Sequence, residues 1–327
     1  MRVCVYGAGA IGGYLAASLA EAGAAEVSVV ARGAHLAAIR ANGLTVETPE
    51  RRFTAPLAAS DNPADLGTQD LVIVTVKAPA LGQVAAGIGP LLQEGTTVAF
   101  PMNGIPWWYY HGIGGADEGR QIALLDPGGA LWRAVGPARA VGAIVWPACS
   151  VPAPGVVRLL SGAAAGTVFG EPDGSASPRL DAIASLFAAA GLGVSTSADI
   201  RALIWRKLAV NLCTGPLCVL GRADIAAAMG SEDGADAPLA DAARGLLGEA
   251  CALAAAMGYP LDLDPARILS GNRRVAHRPS ILQDLEAGRP MEVEALYGVP
   301  LQMAAEQGVA MPLLALLSSL VRLAGRA

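Results

Sequence analysis

The stretch VCVYGAGAIGGYLAASLAEAG, at residues 3–23, limits the possible folds more than any other part of the chain. Its first five residues are an unbroken apolar run typical of a buried strand, and the segment up to Gly23 has the composition of a helix that a glycine ends. Between them, GAGAIG matches the G-x-G-x-x-G turn that holds a dinucleotide when it joins a strand to a helix. The sequence therefore predicts a phosphate-binding turn made by Gly7, Ala8, Gly9, Ala10, Ile11 and Gly12.

The three glycines of this turn have different expected roles. Gly7 permits the tight turn, Gly9 lets the backbone approach a pyrophosphate, and Gly12 lets the helix pack closely on the strand. A glycine turn that binds no ligand is the alternative.

The alternation of strands and helices continues to about residue 197. Apolar runs at 27–32, 71–78 and 96–104 predict buried strands, and the segments at 33–43 and 80–92 predict the helices between them. This order indicates a parallel sheet covered on both faces. Further strands predicted at 139–146, 155–160 and 166–171 are separated by Pro/Gly turns, which favours antiparallel or mixed pairing.

After about Asp199 the pattern becomes helical. Helices are predicted at 200–214, 236–257, 264–273, 292–307 and 312–324, with a polar loop at 230–238. The fold class predicted is therefore an α/β Rossmann-type N-terminal domain, residues 1–197, followed by an all-α C-terminal domain, residues 198–327.

Composition excludes several classes of function. Although 53% of the residues are hydrophobic, many are alanine, and we find no apolar run of about 18 residues free of charge, Pro or Gly. The chain begins with a strand and shows no signal peptide, so we expect a cytoplasmic protein that does not bind membranes. A net charge of −5 without a basic run argues against nucleic acid. The five cysteines and three histidines lack the spacing of a metal site or a disulfide framework.

The residue at the end of the second strand indicates the cofactor. NAD enzymes usually carry an acidic residue there, which binds the ribose 2′-hydroxyl, whereas this strand ends with Arg32. A guanidinium suits a 2′-phosphate, so NADP is preferred, and the alternative is an arginine that is merely solvated. Lys77 and Asn103 follow the next two strands, at the edge of a parallel sheet where ligands bind. Either residue could instead make only local hydrogen bonds.

The segment WRKLAVNL, residues 205–212, places a lysine and an asparagine on one face of an apolar helix. Lys207 and Asn211 are four residues apart, so their side chains lie one turn from each other. A lysine that snorkels at a helix edge is the structural alternative. Further on, SILQDLEAGRPMEVE contains Ser280 and Glu292, and the helix dipole alone would explain a carboxylate at the start of a helix.

Together these segments resemble the ketopantoate reductase (2-dehydropantoate 2-reductase) family. The motifs that carry the resemblance are GAGAIG, Arg32 with GAHL, TVKA, NG at 103–104, WRKLAVN and SILQDLEAGRPMEVE, and it spans essentially the whole chain. It implies a Rossmann domain that binds NADPH and a helical domain that closes over it. It further implies NADPH-dependent reduction of a 2-oxo acid, with 2-dehydropantoate to pantoate as the default reaction.

The resemblance also assigns roles. Lys207 is the expected general acid, and Glu292 completes the catalytic pair. Asn103, Asn211 and Ser280 are expected to contact the substrate. Gly7 to Gly12, Arg32, Lys77 and again Asn103 are expected to contact the cofactor. The expected partner is a small-molecule 2-oxo acid, and a homodimer is compatible with the family.

Three features depart from the family pattern. Gly215 replaces an asparagine that commonly lies two turns after the catalytic lysine, WWYY (107–110) adds four consecutive aromatics, and Pro300 interrupts a predicted helix. We expect Gly215 to open space beside Lys207 and the aromatic rings to supply an apolar wall, which would broaden substrate choice. The alternative for the aromatic rings is that they merely pack between the domains. A paralogous oxidoreductase for another oxo or hydroxy acid therefore stays open. A non-catalytic NADP-binding sensor is the less favoured alternative, because it would not need the helical motifs.

Overall fold

The computed structural model describes residues 1–161, 166–230 and 237–326. The chain divides into two compact units. The first contains Met1–Met102 and Pro106–Ile200, and the second contains Asn103–Ile105 and Arg201–Ala327. The first unit therefore extends three residues past the expected boundary at 197, and a short piece of the loop after the strand at 97–101 belongs to the second unit.

The first unit is built from strands with helices between them. In the described residues its strands are β1 (Arg2–Tyr6), β2 (Glu26–Val30), β3 (Leu44–Glu47), β4 (Arg52–Ala55), β5 (Ala58–Ser60), β6 (Leu71–Val74), β7 (Thr97–Pro101), β8 (Ala140–Val145), β9 (Cys149–Ala153), β10 (Val156–Leu159), β11 (Thr167–Gly170) and β12 (Val194–Thr196). Its helices are α1 (Ala10–Glu21), α2 (Gly33–Asn42), α3 (Leu81–Gly87), α4 (Ala130–Ala134) and α5 (Pro178–Ala189).

Eight strands form the main sheet, in the order β12-β11-β8-β7-β6-β1-β2-β5. All neighbouring strands in it run parallel except β8 and β11, which are antiparallel, so the prediction of a parallel sheet with a mixed later part is confirmed. Val3, Val5, Val72 and Ile73 are fully buried, as their unbroken apolar pattern predicts. Two predicted strands were too long: β6 ends at Val74 and β7 at Pro101, because the chain turns there to leave the sheet.

A second sheet of four strands, ordered β4-β3-β10-β9, was not predicted, although the strand predicted at 155–160 is its β10. Its strands are four or five residues long and carry exposed charges, such as those of Arg52 and Arg158, so their apolar signal is weak. Helix α1 contacts strands of both sheets. Small residues suit a helix covered on two sides, and a Cβ added at Gly13 would lie 2.7 Å from a methyl group of Val157.

The four consecutive aromatics are part of the core of the first unit. Trp107, Trp108, Tyr109 and Tyr110 are all at most 1% exposed. The Trp107 ring packs edge-to-face against Phe100, with ring centroids 5.4 Å apart. The expectation that these rings form the wall of a substrate pocket is therefore wrong. They stabilise the loop after β7 by burying large apolar surface, which is the commoner role of clustered aromatic residues.

The second unit is helical, as predicted. Its helices are α6 (Ile200–Gly221), α7 (Ile225–Ala228), α8 (Ala237–Ala256), α9 (Pro265–Asn272), α10 (Ser280–Glu286), α11 (Val299–Glu306) and α12 (Pro312–Ala324). The predicted loop at 230–238 and the predicted helix start at 236 lie largely outside the described residues. By length and composition alone α6 could cross a membrane, but 67% of its apolar window is buried inside the fold, as in a core helix of a soluble protein.

Two helices differ from their predicted form. Helix α6 continues through Gly215 and Pro216, where two helix-breaking residues predicted an end at 214. The predicted helix at 292–307 is split, as Pro300 predicts, but the break is a π-helical turn, Glu294–Gly298, and Pro300 lies just after it in the first turn of α11. Wide turns of this kind occur frequently at functional sites, and this one follows Glu292.

Candidate active site

A cavity of about 490 Å³ lies in the first unit, at the carboxyl ends of β1 and β2. Among the predicted cofactor residues, Gly7, Ala8, Gly9 and Arg32 line it. The residues of its wall that the sequence did not single out are Tyr6, Val30, Ala31, His35, Val76, Ala80, Gln83, Val151, Pro152, Ala153 and Pro154. This is the edge of an open α/β sheet where nucleotides bind.

The glycine-rich turn has the geometry that phosphate binding needs. Gly7 has φ of +105°, and a Cβ there would lie 2.7 Å from the side chain of Val76. Position 9 faces open space, so the backbone N–H groups at the start of α1 are not covered by a side chain. A Cβ at Gly12 would lie 2.2 Å from both the Gly7 carbonyl and Thr75 Oγ1, so only glycine lets α1 pack this closely. The cradle therefore fits a dinucleotide phosphate.

Arg32 lies beyond the end of β2, where its exposed guanidinium meets the side chain of Gln83. Arg32 Nη1 donates a hydrogen bond of 2.5 Å to Gln83 Oε1, and Tyr6 Oη donates one of 3.5 Å to the Gln83 carbonyl. Burial raises the pKa of Tyr6, and the charge of Arg32 opposes this shift. Gln83 lies on α3, far from Arg32 in sequence, so no local pattern could have identified it.

His35 connects the turn between β9 and β10 to the glycine-rich turn. The Gly155 N–H donates a hydrogen bond of 3.0 Å to His35 Nδ1, so the ring proton must be on Nε2. Nε2 is buried and makes no hydrogen bond of good geometry within the described part of the chain. Burial lowers the pKa of His35, and the backbone of Ala8 opposes this shift. A neutral His35 thus lies between the strand turn and the phosphate-binding turn.

Five predicted cofactor residues do not line this cavity. Ala10, Ile11 and Gly12 form the first turn of α1, and Lys77 precedes a short helical turn at Ala78–Ala80. The neighbours of Lys77 in sequence, Val76 and Ala80, do line the cavity. Asn103 belongs to the second unit instead.

Lys207 and Asn211 lie on one side of α6 in the second unit. The surrounding side chains of Ile204, Leu208 and Leu212 are buried. Burial lowers the pKa of Lys207 from 10.5 to about 8, and the negative charge of Glu292 opposes this shift. Lys207 is therefore mainly protonated at neutral pH, and a small rise in pH removes its proton. Such a poised amine beside a carboxylate is the usual state of a general acid.

The other predicted substrate residues belong to segments that meet around α6. The Ile105 N–H donates to the Ala295 carbonyl at 3.3 Å, and Gly104, with φ of +79°, leaves no room for a Cβ beside that carbonyl. This places Asn103 on a loop that packs against the π-helical turn. Glu292 is 5% exposed, and its carbonyl accepts from the Leu296 N–H, so it begins the helix as expected.

Ser280 is the first residue of α10. Its neighbour Ile281 lies against position 215 of α6, with 3.8 Å between its Cγ2 methyl and a Cβ added there. The helix that carries the predicted acid and the segment that begins at Ser280 therefore meet in the second unit.

Gly215 does not open space beside Lys207, so this expectation is wrong. A Cβ at position 215 would lie 2.6 Å from the hydroxyl oxygen of Tyr297. The tyrosine ring, from the π-helical turn, therefore occupies the volume that the missing side chain leaves. Tyr297 is fully buried, and its hydroxyl has no hydrogen-bond partner among the described residues. Burial raises the pKa of Tyr297 far above its usual range, so the hydroxyl keeps its proton.

Comparison with known proteins identifies the family. The family model described as "Ketopantoate reductase PanE/ApbA" matches residues 3–174, and the model described as "Ketopantoate reductase PanE/ApbA C terminal" matches residues 199–324. A 2-dehydropantoate 2-reductase of Mesorhizobium japonicum is 43% identical over 298 residues, which are 90% of this chain and 89% of the relative. The chain belongs to the ketopantoate reductase family.

Solved structures of ketopantoate reductases have the same fold over the whole chain. A Ralstonia solanacearum MolK2 protein assigned as a ketopantoate reductase is 38% identical, with a TM-score of 0.91, and covers 99% of this chain and 98% of its own. The 2-dehydropantoate 2-reductase of Geobacter metallireducens GS-15 is 27% identical, with a TM-score of 0.85, and covers 99% of this chain and 100% of its own. This ketopantoate reductase family member is thus an enzyme, an NAD(P)-dependent oxidoreductase.

Proposed function

We propose that this enzyme reduces a 2-oxo acid to a 2-hydroxy acid with NADPH, and that 2-dehydropantoate is its default substrate. The observation that carries the proposal is the half-buried Lys207, whose pKa is lowered to about 8 by burial against the opposing charge of Glu292. Relatives named 2-dehydropantoate 2-reductase support the reaction class. Lys207 and Lys77 are the only two lysines among 23 lysine and arginine residues. A lysine can release a proton near neutral pH and an arginine cannot, so lysine is the residue type that a general acid at position 207 requires.

The nucleotide cavity supports NADPH as the cofactor. NADPH supplies a hydride to the keto carbon when it is bound. The N–H groups at the start of α1, left uncovered at Gly9, would hold its pyrophosphate. The guanidinium of Arg32, oriented by Gln83, would bind the 2′-phosphate that NADH lacks.

The residues of the second unit supply the acid and the substrate contacts. Negative charge develops on the keto oxygen during reduction, and the Lys207 ammonium stabilises this charge and donates the proton. Glu292 keeps Lys207 protonated through its charge. Asn211, Ser280 and Asn103 would orient the substrate through its carboxylate and carbonyl oxygens.

The test is NADPH oxidation, followed at 340 nm, with a panel of 2-oxo acids. We expect wild type to be active, and Lys207→Ala to lower kcat by about 10²–10⁴, the usual effect of a positioned acid, with NADPH affinity unchanged. Lys207→Arg keeps the positive charge, but arginine cannot release a proton at neutral pH, so kcat of this variant should be nearly as low as that of Lys207→Ala. If Lys207→Ala stays active, Lys207 is not the acid. If no oxo acid is reduced, the protein is the NADP-binding sensor, and if another oxo acid is much preferred, it is the paralogous enzyme.

The partner and location follow from the same proposal. A small-molecule 2-oxo acid, rather than nucleic acid or membrane, is the proposed partner, and the cytoplasm, where NADPH is available, is the proposed location. A homodimer stays a prediction, which light scattering during size-exclusion chromatography would test.

A further inference from the structure

We propose that Tyr297 is a specificity-determining residue, whose hydroxyl binds a hydroxyl group on the part of the substrate remote from the reacting carbonyl. The inference rests on the proposed function and names a substrate contact that the sequence motifs do not contain. It concerns the second unit only.

The position of the Tyr297 hydroxyl places it in line with the predicted catalytic residues. Lys207, Asn211 and Gly215 follow one another at four-residue intervals, so they lie along one side of α6, each about 6 Å from the next along the axis. Glu292 acts on Lys207 at one end of this row, and the Tyr297 hydroxyl lies against Gly215 at the other.

The π-helical turn explains how one segment reaches both ends of the row. Glu292 and Tyr297 are five residues apart, a spacing that an α-helix would turn to different sides. The Leu296 N–H still donates to the Glu292 carbonyl four residues earlier, and the five-residue pattern lies in the π-helical turn itself, where the Val299 N–H donates to the Glu294 carbonyl. Such a turn rotates the chain less per residue than an α-helix does, which shifts Tyr297 towards the side of Glu292. The segment therefore presents both the carboxylate and the hydroxyl to α6.

The energetics favour a bound partner for this hydroxyl. A buried hydroxyl without a hydrogen bond destabilises the fold, and buried tyrosines usually find a partner. A phenylalanine would fill the same volume without that cost. The helix also carries a glycine, Gly215, in its interior, where alanine would be more stable. Both costs are explained if the hydroxyl makes its hydrogen bond in the working complex, with the substrate.

The ligand chemistry follows from the row of polar groups. If the keto oxygen lies at Lys207, a hydroxyl on the chain of the oxo acid can extend along α6 towards Tyr297. 2-Dehydropantoate carries such a hydroxyl at C4, whereas 3,3-dimethyl-2-oxobutanoate has the same carbon skeleton without it. The two oxo acids therefore form a matched pair that isolates this single contact.

The experiment compares Tyr297→Phe with wild type on both substrates at saturating NADPH. We expect kcat/KM for 2-dehydropantoate to fall about 5–100-fold, because one buried hydrogen bond is lost, and kcat/KM for the deoxy analogue to change less than about twofold. Melting temperature and the Kd for NADPH serve as controls for folding. An equal loss on both substrates, or no loss on either, would overturn the proposal and leave Tyr297 as a packing residue.

A second pair of variants tests the geometry. Gly215→Asn alone should impair the enzyme, because the new Cβ would lie 2.6 Å from the Tyr297 hydroxyl. Tyr297→Phe/Gly215→Asn removes that oxygen and moves a polar group from the π-helical turn to α6, so it should recover part of the preference for 2-dehydropantoate. A double variant that is no better than Gly215→Asn contradicts the proposal. A wild type that reduces no oxo acid would refute the proposed function itself, which is a separate outcome.

Discussion

Replacing Glu292 by glutamine should move the pH dependence of the enzyme in a predictable direction. Burial lowers the pKa of Lys207, and the carboxylate of Glu292 is the charge that opposes this effect. The variant keeps the size and most hydrogen-bonding capacity of the side chain but removes the charge. Since a cation loses its stabilising neighbour, the pKa of Lys207 must fall.

The size of the effect follows from the pKa of about 8 in the wild type. An opposite charge close by typically contributes between about 1 and 3 pKa units, so the variant should titrate between about 5 and 7. At pH 7.5 a group with a pKa of about 8 is about three-quarters protonated, and one with a pKa of about 6 is only about 3% protonated. The rate of reduction at pH 7.5 should therefore fall about 25-fold through protonation alone.

The assay is the pH profile of kcat/KM for oxo acid reduction, between pH 5 and 10. Wild type should be constant at low pH and decline above about pH 8, because the acid form of Lys207 is required. In Glu292→Gln the decline should begin at least one pH unit lower. Any deficit that persists at the lowest pH measures a contact of Glu292 with the substrate. A decline that stays at about pH 8 in the variant would refute the reasoning.

A matched control and a direct measurement are both available. Glu294→Gln changes the same residue type two positions later, where the carboxylate is half-exposed and pairs with Arg322 at 3.0 Å, and it should leave the profile in place. Because Lys77 and Lys207 are the only lysines, reductive ¹³C-methylation gives an NMR spectrum with two lysine signals. One should titrate near 8 in wild type, disappear in Lys207→Arg and move down in Glu292→Gln.

Three further predictions concern the nucleotide cavity. Arg32→Ala should remove most of a preference for NADPH over NADH of about 1–3 kcal/mol, measured by fluorescence titration, and equal affinities in wild type would contradict the assignment. Gly12→Ala should lower the melting temperature sharply, because its Cβ would lie 2.2 Å from two oxygen atoms. Gly9→Ala should fold normally and bind either nucleotide more weakly, because position 9 faces open space. Equal losses of stability in the two variants would be inconsistent with this packing. In His35→Asn the side-chain oxygen takes the place of Nδ1 and can accept from the Gly155 N–H, whereas in His35→Gln the amide takes the place of Nε2. Only the glutamine variant should therefore bind both nucleotides more weakly, and identical affinities would exclude this role.

Local pattern was enough for the glycine-rich turn and for the helix that carries Lys207 and Asn211. In GAGAIG the strand, the turn and the helix are adjacent in sequence, so the backbone requirement of each glycine can be worked out from its neighbours alone. Lys207 and Asn211 are one helical turn apart, so their shared side of α6 depends only on helix geometry. The order of strands and helices likewise predicted the main sheet, because parallel strands that are buried on both faces leave a continuous apolar signal.

Features that depend on partners remote in sequence could not be predicted. Of the second sheet only β10 was predicted as a strand, because its other short strands become buried only against α1. Helix α6 continues through Gly215 and Pro216 within a buried environment that local propensity does not describe. Asn103 was predicted at the end of a strand, but its loop belongs to the second unit through a hydrogen bond to Ala295.

The sequence by itself determined the fold class, the glycine-rich turn and the lysine–asparagine face, because each is set by periodicity or by backbone geometry within one segment. Only the tertiary structure decided what lies opposite that face. A glycine at position 215 suggested empty space, and the structure shows the Tyr297 hydroxyl in that space. Periodicity indicates which side of a helix is buried, but the packing of remote segments decides which atoms fill the volume beside it.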